Sequence, residues 1–138
     1  ARVLTLNEGL GATPSYLARC GTPRTLDELA EHRLLLWQRS GAPRRRLPLT
    51  DGATWAADPW LASNNEWLIR VAAEQGAGVG LVQWGPLPLR EGVEELVPVL
   101  PDLVHRACTL QVVVATTAAP RLRWRTLTDL ARTVLRAF

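Results

Sequence analysis

Residues 63–82, SNNEWLIRVAAEQGAGVGLV, decide the fold of this chain. The polar triplet 63–65 ends a short apolar segment, and apolar residues then recur at the three- and four-residue spacing of one helix face. These residues are Trp67, Leu68, Val71 and Ala72. Gly76 ends the helical pattern, and Gly78–Val82 is a continuous apolar run of the kind found in buried strands. The stretch therefore predicts a strand, a helix over 65–75 and a second strand, joined as a parallel crossover.

The segment before this unit predicts two short strands and a capped helix. Residues 3–10 predict one strand followed directly by a second, because Asn7–Gly9 interrupt the apolar pattern. Thr13-Pro14 then places a hydroxyl cap before a proline at the first helical position, and Gly21 supplies a stop. The sequence therefore predicts a short helix over residues 14–20.

A second helix and an interior strand follow. Thr25 and Glu28 have the spacing of a capping box, which predicts a helix start. Residues 33–37 form an almost continuous apolar run, as expected for a strand covered on both faces. From 46 to 62 the pattern becomes that of a hairpin turning at Asp51-Gly52, followed by another strand. This alternation of helices and strands is typical of an α/β fold.

The remaining chain predicts two more strands and a closing helix. Leu96–Leu100 contains a proline, which favours a position at the edge of the sheet. Leu110–Ala115 has the pattern of a further buried strand. Leucine and valine residues between 122 and 135 trace one helical stripe, with arginines on the other face. Together these elements predict one α/β domain with a mixed, mostly parallel sheet flanked by helices.

Composition fits one domain in a reducing compartment. The chain has 138 residues, of which 47% are hydrophobic, and this is enough to bury a core without metal or disulfide support. It contains no apolar run of roughly eighteen residues or more that would span a bilayer. Cys20 and Cys108 are too few for a disulfide framework, and we expect both to be free thiols, as in the cytosol.

The basic residues do not form the pattern of a DNA-reading surface. All sixteen are arginine, and the net charge is +3. A protein that reads DNA usually concentrates such charge on one face or helix. Here the only clusters are Arg44–Arg46 and the series Arg121, Arg123 and Arg125. Arg44–Arg46 lie in a loop-like stretch, so we expect their side chains to be exposed to solvent beside a hairpin.

No pattern of residues indicates catalysis or a bound cofactor. The glycines of Gly76–Gly80 lie between a helix and a strand, the reverse of the order in a dinucleotide-binding turn, so close packing explains them. His32 is predicted at the end of a helix and His105 in a loop, and neither lies in a recognisable nucleophile motif. A small hydrolase using Ser63 or Cys20 with His105 is the remaining enzymatic alternative. A metal held by His105, Cys108 and Cys20 lacks paired ligand spacing. We therefore predict no enzyme, no cofactor and no metal.

Polar residues at helix starts are the candidates for ligand binding. Thr13 and the triplet Ser63–Asn65 each precede a helix, whose free N–H groups and dipole favour an anion such as a carboxylate. An ordinary cap needs no ligand, so the prediction rests on both sets meeting at one sheet edge. Gln83 and Trp84 follow an interior strand, where an open α/β sheet exposes its carboxyl edge to ligand. The predicted ligand-binding residues are Thr13, Ser63, Asn64, Asn65, Gln83 and Trp84.

Several segments, in this order, resemble the effector-binding domain of LysR-type transcriptional regulators. The matching segments are 12–17, 21–29, Ser63–Asn65, Ala77–Leu81, Glu95–Pro101 and Pro120–Phe138. The first two look like that family's strand-to-helix turn and the link after it, and the last looks like its closing helix. The likeness covers nearly the whole chain.

The resemblance implies a periplasmic-binding-protein-like fold of type 2, in which two α/β subdomains enclose a ligand cleft. Residues 10–100 would form the second subdomain, and residues 101–138 would form the crossover, strand and helix that return to the first. The resemblance also implies that a DNA-binding winged helix-turn-helix, and most of the first subdomain, lie outside this chain.

The same resemblance implies a cytoplasmic bacterial regulator, dimeric or tetrameric, in which a small anionic effector controls DNA binding and transcription. It places Thr13 and Ser63–Asn65 at or beside the cleft. Gln83 stands where a proline is usual and Trp84 is also unusual, so we expect these two to shape an individual pocket. The helix over 65–75 is the expected contributor to the dimer. A solute-binding domain of the same architecture is the alternative.

Overall fold

The computed structural model describes residues 2–38, 45–85, 91–111 and 121–136. Its strands are β1 (Arg2–Ala12), β2 (Leu34–Trp37), β3 (Arg46–Pro48), β4 (Thr54–Ala56), β5 (Leu61–Ser63), β6 (Val79–Trp84), β7 (Val97–Val99) and β8 (His105–Gln111). Its helices are α1 (Pro14–Cys20), α2 (Leu26–Ala30), α3 (Glu66–Glu74) and α4 (Arg121–Arg136).

The main sheet is mixed, as the sequence predicts. Its order is β5-β2-β6-β1-β7, and β8 also pairs with β1. β2 is parallel to β5 and β6, whereas β1 is antiparallel to β6, β7 and β8. The predicted crossover is confirmed: β5 leads through α3 to β6, and β2 lies between the two strands. The predicted hairpin of β3 and β4 and the edge position of β7 are also confirmed.

β1 is one continuous strand, so the prediction of two strands interrupted at Asn7–Gly9 is wrong. These three residues pair with β6 on one side and with β8 on the other. A strand flanked on both sides satisfies its backbone N–H and C=O groups whatever the polarity of its side chains. Along its outer side β1 changes partner, because Arg2–Gly9 pairs with β8 and Leu10–Ala12 pairs with β7.

α3 packs on the sheet through a different face from the predicted one. Ile69 and Ala73 are fully buried, whereas Trp67 and Leu68 are 51% and 47% exposed. The apolar residues of α3 lie on two adjacent faces of the helix. The short distance between α3 and the sheet decides which face is buried. A Cβ placed on Gly80 would lie 2.9 Å from the Cβ of Ala73, so small residues are required at this contact. Trp67 and Leu68 therefore belong to the outer face of α3.

The short helices are capped as the sequence predicts. Oγ1 of Thr13 accepts a hydrogen bond from the N–H of Tyr16, and Oγ1 of Thr25 accepts one from the N–H of Glu28. Gly21 ends α1 with a φ of +88°. Each of these contacts spans only a few residues, which is why the sequence alone predicts them.

The carboxyl-terminal elements agree only in part with the prediction. His105 is the first residue of β8, so its predicted position in a loop is wrong. His105 pairs with Gly9 of β1 and is therefore part of the sheet. Of the predicted strand Leu110–Ala115, residues 112–115 lie outside the described residues. The closing helix α4 is confirmed, and it contacts β1. Its apolar stripe is its outer face, because the described members are exposed: Leu127, Leu130 and Val134.

Apolar side chains fill both sides of the sheet. One cluster lies between the sheet and the layer of α1, α2 and the hairpin, and it includes Leu10, Tyr16, Leu29, Leu36 and Leu47. The other lies beneath α3 and includes Leu35, Ile69, Val82 and Leu96. The sheet is therefore covered on both faces, as its long apolar runs predict.

An ionic cluster around a buried carboxylate joins β1 to β8. The side chain of Glu8 is 1% exposed and accepts a hydrogen bond of 2.9 Å from the guanidinium of Arg106. The thiol of Cys108, which is buried and free as predicted, donates to the same carboxylate across 3.0 Å. Burial, and then the hydrogen bond to Glu8, raise the pKa of the Cys108 thiol above its ordinary value of 9.0. The folded chain therefore holds this proton more tightly than the unfolded chain does.

We expect the protein to lose stability in alkali through Cys108. Its contribution is fully present below pH 9.0, the ordinary pKa, and is lost as the pH rises above it, because the unfolded thiol ionises first. The free energy of unfolding should fall by up to about 1.4 kcal/mol per pH unit. Urea titrations at several pH values between about 8 and 10 would measure this slope.

Cys108→Ser is the matched control, since serine keeps a donor for Glu8 and does not ionise in this range. The alkaline slope should be smaller in this variant. Burial also raises the pKa of Tyr16 above its ordinary value of 10.0, so measurements above that pH would mix two groups. An identical slope in both proteins below pH 10 would contradict the assignment to Cys108.

Candidate functional site

The carboxyl ends of β2, β5 and β6 form one edge of the sheet, where the predicted triplet lies. Ser63 ends β5, and its Oγ accepts a hydrogen bond of 3.0 Å from the N–H of Asn65. Asn65 is the cap of α3, and its Oδ1 accepts a hydrogen bond of 3.3 Å from the N–H of Leu68. Asn64 lies between them, exposed, and its carbonyl accepts a hydrogen bond from Nε1 of Trp37. The triplet therefore joins the ends of β2 and β5 to the start of α3.

Thr13 does not share this edge, so the predicted meeting of the two helix starts is wrong. β1 is antiparallel to β6, and Gly11 pairs with Gly80 near the start of β6. Thr13 therefore lies at the amino end of β6, beside Gly76: a Cβ on that glycine would be 3.5 Å from Oγ1 of Thr13. Thr13 is fully buried within the α1 cap, and the sheet separates it from the triplet.

Gln83 is held at the carboxyl edge by its main chain. Its N–H donates to Oε1 of Glu66 across 3.2 Å, and its carbonyl accepts a hydrogen bond from the guanidinium of Arg70. Arg70 also lies 3.8 Å and 3.5 Å from the carboxylates of Glu66 and Glu74. All three charged side chains are on α3 and largely buried, so this helix fixes the end of β6.

Gln38 is a residue at this edge that the sequence prediction missed. Its main-chain N–H donates to the carbonyl of Ser63 across 2.9 Å, which places it beside the triplet. Its side-chain Nε2 is buried and has no hydrogen-bond partner among the described residues. A buried donor without an acceptor costs about 1–3 kcal/mol. The signal in the sequence was its position directly after an interior strand, the same argument that selected Gln83.

Trp84 shares the end of β6 with Gln83, but its ring extends toward β1. A Cβ on Gly11 would lie 2.8 Å from Cζ2 of Trp84, and a Cβ on Gly9 would lie 3.2 Å from its Nε1. The indole therefore lies across two glycines of β1. It is half-buried and packs against the cluster beneath α3. Trp84 is thus adjacent to the carboxyl edge but lines a different space from the triplet.

The residues considered for catalysis or metal binding lie apart. His32 is near Tyr16, whose hydroxyl is 3.1 Å from Nδ1, whereas His105 begins β8. Cys20 is exposed on α1, and Cys108 is buried against Glu8. Within the described ranges, no group of three or more histidine, cysteine, aspartate or glutamate side chains is arranged to hold a metal ion.

The basic loop residues are solvated, as predicted for Arg45 and Arg46; Arg44 lies outside the described residues. Arg45 pairs with Asp58 at 3.3 Å, with side chains that are 70% and 93% exposed. Exposed pairs of this kind contribute little to stability. None of the helices in the described part of the chain has the length and apolarity needed to cross a membrane.

Solved structures that share this fold include regulatory domains of LysR-type transcriptional regulators, whose fold is periplasmic-binding-protein-like. The regulatory domain of CrgA from Neisseria meningitidis matches with a TM-score of 0.68 and 20% identity, over 98% of this chain and 67% of that domain. Full-length CrgA matches with a TM-score of 0.68 and 20% identity, over 97% of this chain and 46% of that protein.

Full-length AphB from Vibrio cholerae, a virulence activator and member of the LTTR family, matches with a TM-score of 0.66 and 19% identity. The match covers 98% of this chain and 47% of AphB. The chain therefore spans less than half of these full-length regulators. No protein-family model and no curated protein matches the sequence. At these identities the likeness establishes the fold, and the predicted fold class is confirmed.

Proposed function

We propose that this chain is part of the ligand-sensing domain of a LysR-type transcriptional regulator. The shared fold supports a regulatory domain. The observation that carries a sensing role is Gln38, a buried amide donor without an acceptor at the open edge of the sheet. Such a group is satisfied when a ligand supplies the acceptor.

The proposed ligand is a small anion, typically a carboxylate. It would lie against Gln38, Asn64 and the amino end of α3, where N–H groups and the helix dipole favour negative charge. Asn65 caps α3 at this point, and Gln83 lies at the end of the neighbouring strand. Thr13 takes no part in this proposal, because it lies at the opposite edge.

The proposed organisation divides the chain at about residue 100. Residues 10–100 would form one complete subdomain, and residues 101–138 would return to the other. The contact of α4 with β1 and its exposed outer stripe support this division. In the whole protein, a cytoplasmic bacterial regulator, the effector would control DNA binding by a separate winged helix-turn-helix domain. The exposed outer face of α3 is the proposed dimer contact.

Gln38→Met tests the ligand site, because its two expected effects have opposite signs. Removing an unsatisfied buried donor should raise the free energy of unfolding by about 1 kcal/mol. Removing a ligand donor should weaken carboxylate binding about fivefold or more. Thermal unfolding without ligand and in a series of acetate, succinate and benzoate concentrations would measure both effects, in a protein carrying both subdomains.

Gln75→Met is the matched control, because Gln75 is exposed at the other end of α3. It should change neither quantity by more than about 0.5 kcal/mol. If Gln38→Met raised stability and left carboxylate affinity unchanged, the amide would be a tolerated structural defect and the proposed anion site would be wrong.

A further inference from the structure

A cavity lies where β1 changes partner from β8 to β7. β8 ends its pairing with His105 opposite Gly9, and β7 begins with Val99 opposite Leu10. A space of about 290 Å³ lies beside β1 at the connection between the two strands. This space is lined chiefly by Trp84, Gly9, Pro98, Pro101, Val104 and His105. It is separate from the triplet at the carboxyl edge.

The wall of this cavity is preformed. The turn after β7 is closed by hydrogen bonds of 3.0 Å and 2.9 Å from the N–H groups of Leu103 and Val104 to the carbonyl of Leu100. The carbonyl of Leu103 also accepts a hydrogen bond from the N–H of Thr50 in the hairpin. Two proline rings contribute further rigid surface. A ligand would therefore find the pocket already shaped, which reduces the entropy lost on binding.

The pyrrole side of the Trp84 indole lies at the Gly9 end of the cavity. A Cβ on Gly9 would lie 3.2 Å from Nε1 and 3.5 Å from Cδ1, so the ring occupies the space that a side chain at position 9 would need. The indole N–H donates to none of the described residues, and it offers a hydrogen bond to an occupant. Among the described residues of the lining, His105 and Asn7 are also polar, and both are exposed.

The lining restricts the class of ligand. The described residues of the lining include no carboxylate and no guanidinium, so a charged molecule buried against them would have no opposite charge among them. A cavity of about 150 Å³ admits benzene, so 290 Å³ accommodates one or two rings. Indole, imidazole and proline surfaces favour a flat apolar molecule. We propose that this pocket binds a neutral aromatic compound of one or two rings with a hydrogen-bonding group, such as a phenol.

Nuclear magnetic resonance of the ¹⁵N-labelled chain tests this proposal with phenol as the probe. Phenol should shift the Nε1–H signal of Trp84 and the amides of Gly9 and Val104 along one saturable curve, with a Kd of about 1 mM. Cyclohexanol has the same polar group without the aromatic ring and should bind at least about fivefold more weakly. Benzoate, which is charged, should also bind at least about fivefold more weakly.

Two variants locate the site. Trp84→Phe keeps an aromatic ring without the N–H donor, and His105→Ala changes an exposed side chain that the core does not require. Each should weaken phenol binding at least about threefold, measured at the amides of Gly9 and Val104. Trp67→Phe, at an exposed tryptophan on α3, should leave it unchanged. Because His105→Ala does not touch the core, loss of folding in Trp84→Phe would still leave the site testable.

Several results would overturn the proposal. These are no saturable shift at Trp84, equal shifts at Trp60 and Trp67, equal affinity for cyclohexanol or benzoate, or unchanged affinity in both variants. The pocket is independent of the proposed anion site, because Gln38→Met should leave phenol binding unchanged. Failure of one proposal therefore leaves the other standing.

Discussion

Gly78→Ala is expected to destabilise the protein by about 3 kcal/mol or more. A Cβ at this position would lie 2.1 Å from the carbonyl oxygen of Arg33 and 3.0 Å from its carbonyl carbon. That carbonyl accepts a hydrogen bond of 2.9 Å from the N–H of Val79, at the point where β6 joins β2. The added Cβ would clash with a main-chain carbonyl, and because the position of Cβ is fixed by the backbone, no side-chain rotation relieves the clash. Urea unfolding of the variant and the parent protein would measure the loss.

Gly52→Ala is the matched control. Gly52 has a φ of +86° but no neighbouring atom within 4 Å of the added Cβ, so the substitution carries backbone strain alone. We expect a loss of about 1 kcal/mol from that strain. Equal losses in the two variants would show that the approach of β6 to Arg33 is looser than the structure has it.

Arg106→Met should cost about 2 kcal/mol of stability, because it leaves the carboxylate of Glu8 without its cationic partner. The Glu8 side chain is 1% exposed, whereas that of Arg106 is 49% exposed, so solvent reduces the loss below that of a fully buried pair. Cys108 remains as a donor, and a thiol is a weak one. The measurement is again the midpoint and slope of urea unfolding, at a pH near neutrality.

A second substitution separates the unpaired charge from the loss of packing. Adding Glu8→Leu to Arg106→Met should recover most of the stability, since a buried ion pair replaced by apolar residues is often neutral. Arg45→Met is the surface control: its partner Asp58 is 93% exposed, and the loss should stay below about 1 kcal/mol. A double variant no more stable than Arg106→Met alone would contradict the role given to Glu8.

Local features of the fold were predictable from the sequence, because their causes lie within a few residues. Thr13, Thr25 and Asn65 act as caps through hydrogen bonds to residues three positions ahead. The interior strands β2 and β6 follow from continuous apolar runs that only a covered sheet can accommodate. The crossover follows from the order of these elements.

The predictions that were wrong depend on contacts between residues far apart in the chain. The spacing in α3 predicted Trp67 on the buried side, but Ile69 is buried instead, because that choice depends on Gly80 in the neighbouring strand. The sequence of Asn7–Gly9 resembles a loop between two strands, and only pairing with β6 and β8 keeps these residues in one strand. Local patterns carry no information about such partners.

The candidate site was predicted in part for the same reason. Ser63, Asn64 and Asn65 do lie together at the carboxyl edge, since they are consecutive. The position of Thr13 depends on the direction of β1. Because β1 is antiparallel to β6, Thr13 lies at the other edge of the sheet. The missing acceptor of Gln38 and the position of Trp84 over Gly9 depend on tertiary packing, so no sequence pattern marks them.

The double pairing of Asn7–Gly9 also has a mechanical consequence. These three residues join β1 to β6 and β8 at once, whereas the residues before them lack β6 and the residues after them pair with β7 in place of β8. Glu8 is at their centre, and its bond to Arg106 resists shear between β1 and β8. A twist applied at the far end of either strand would therefore load this short section, where the bond between Glu8 and Arg106 opposes it.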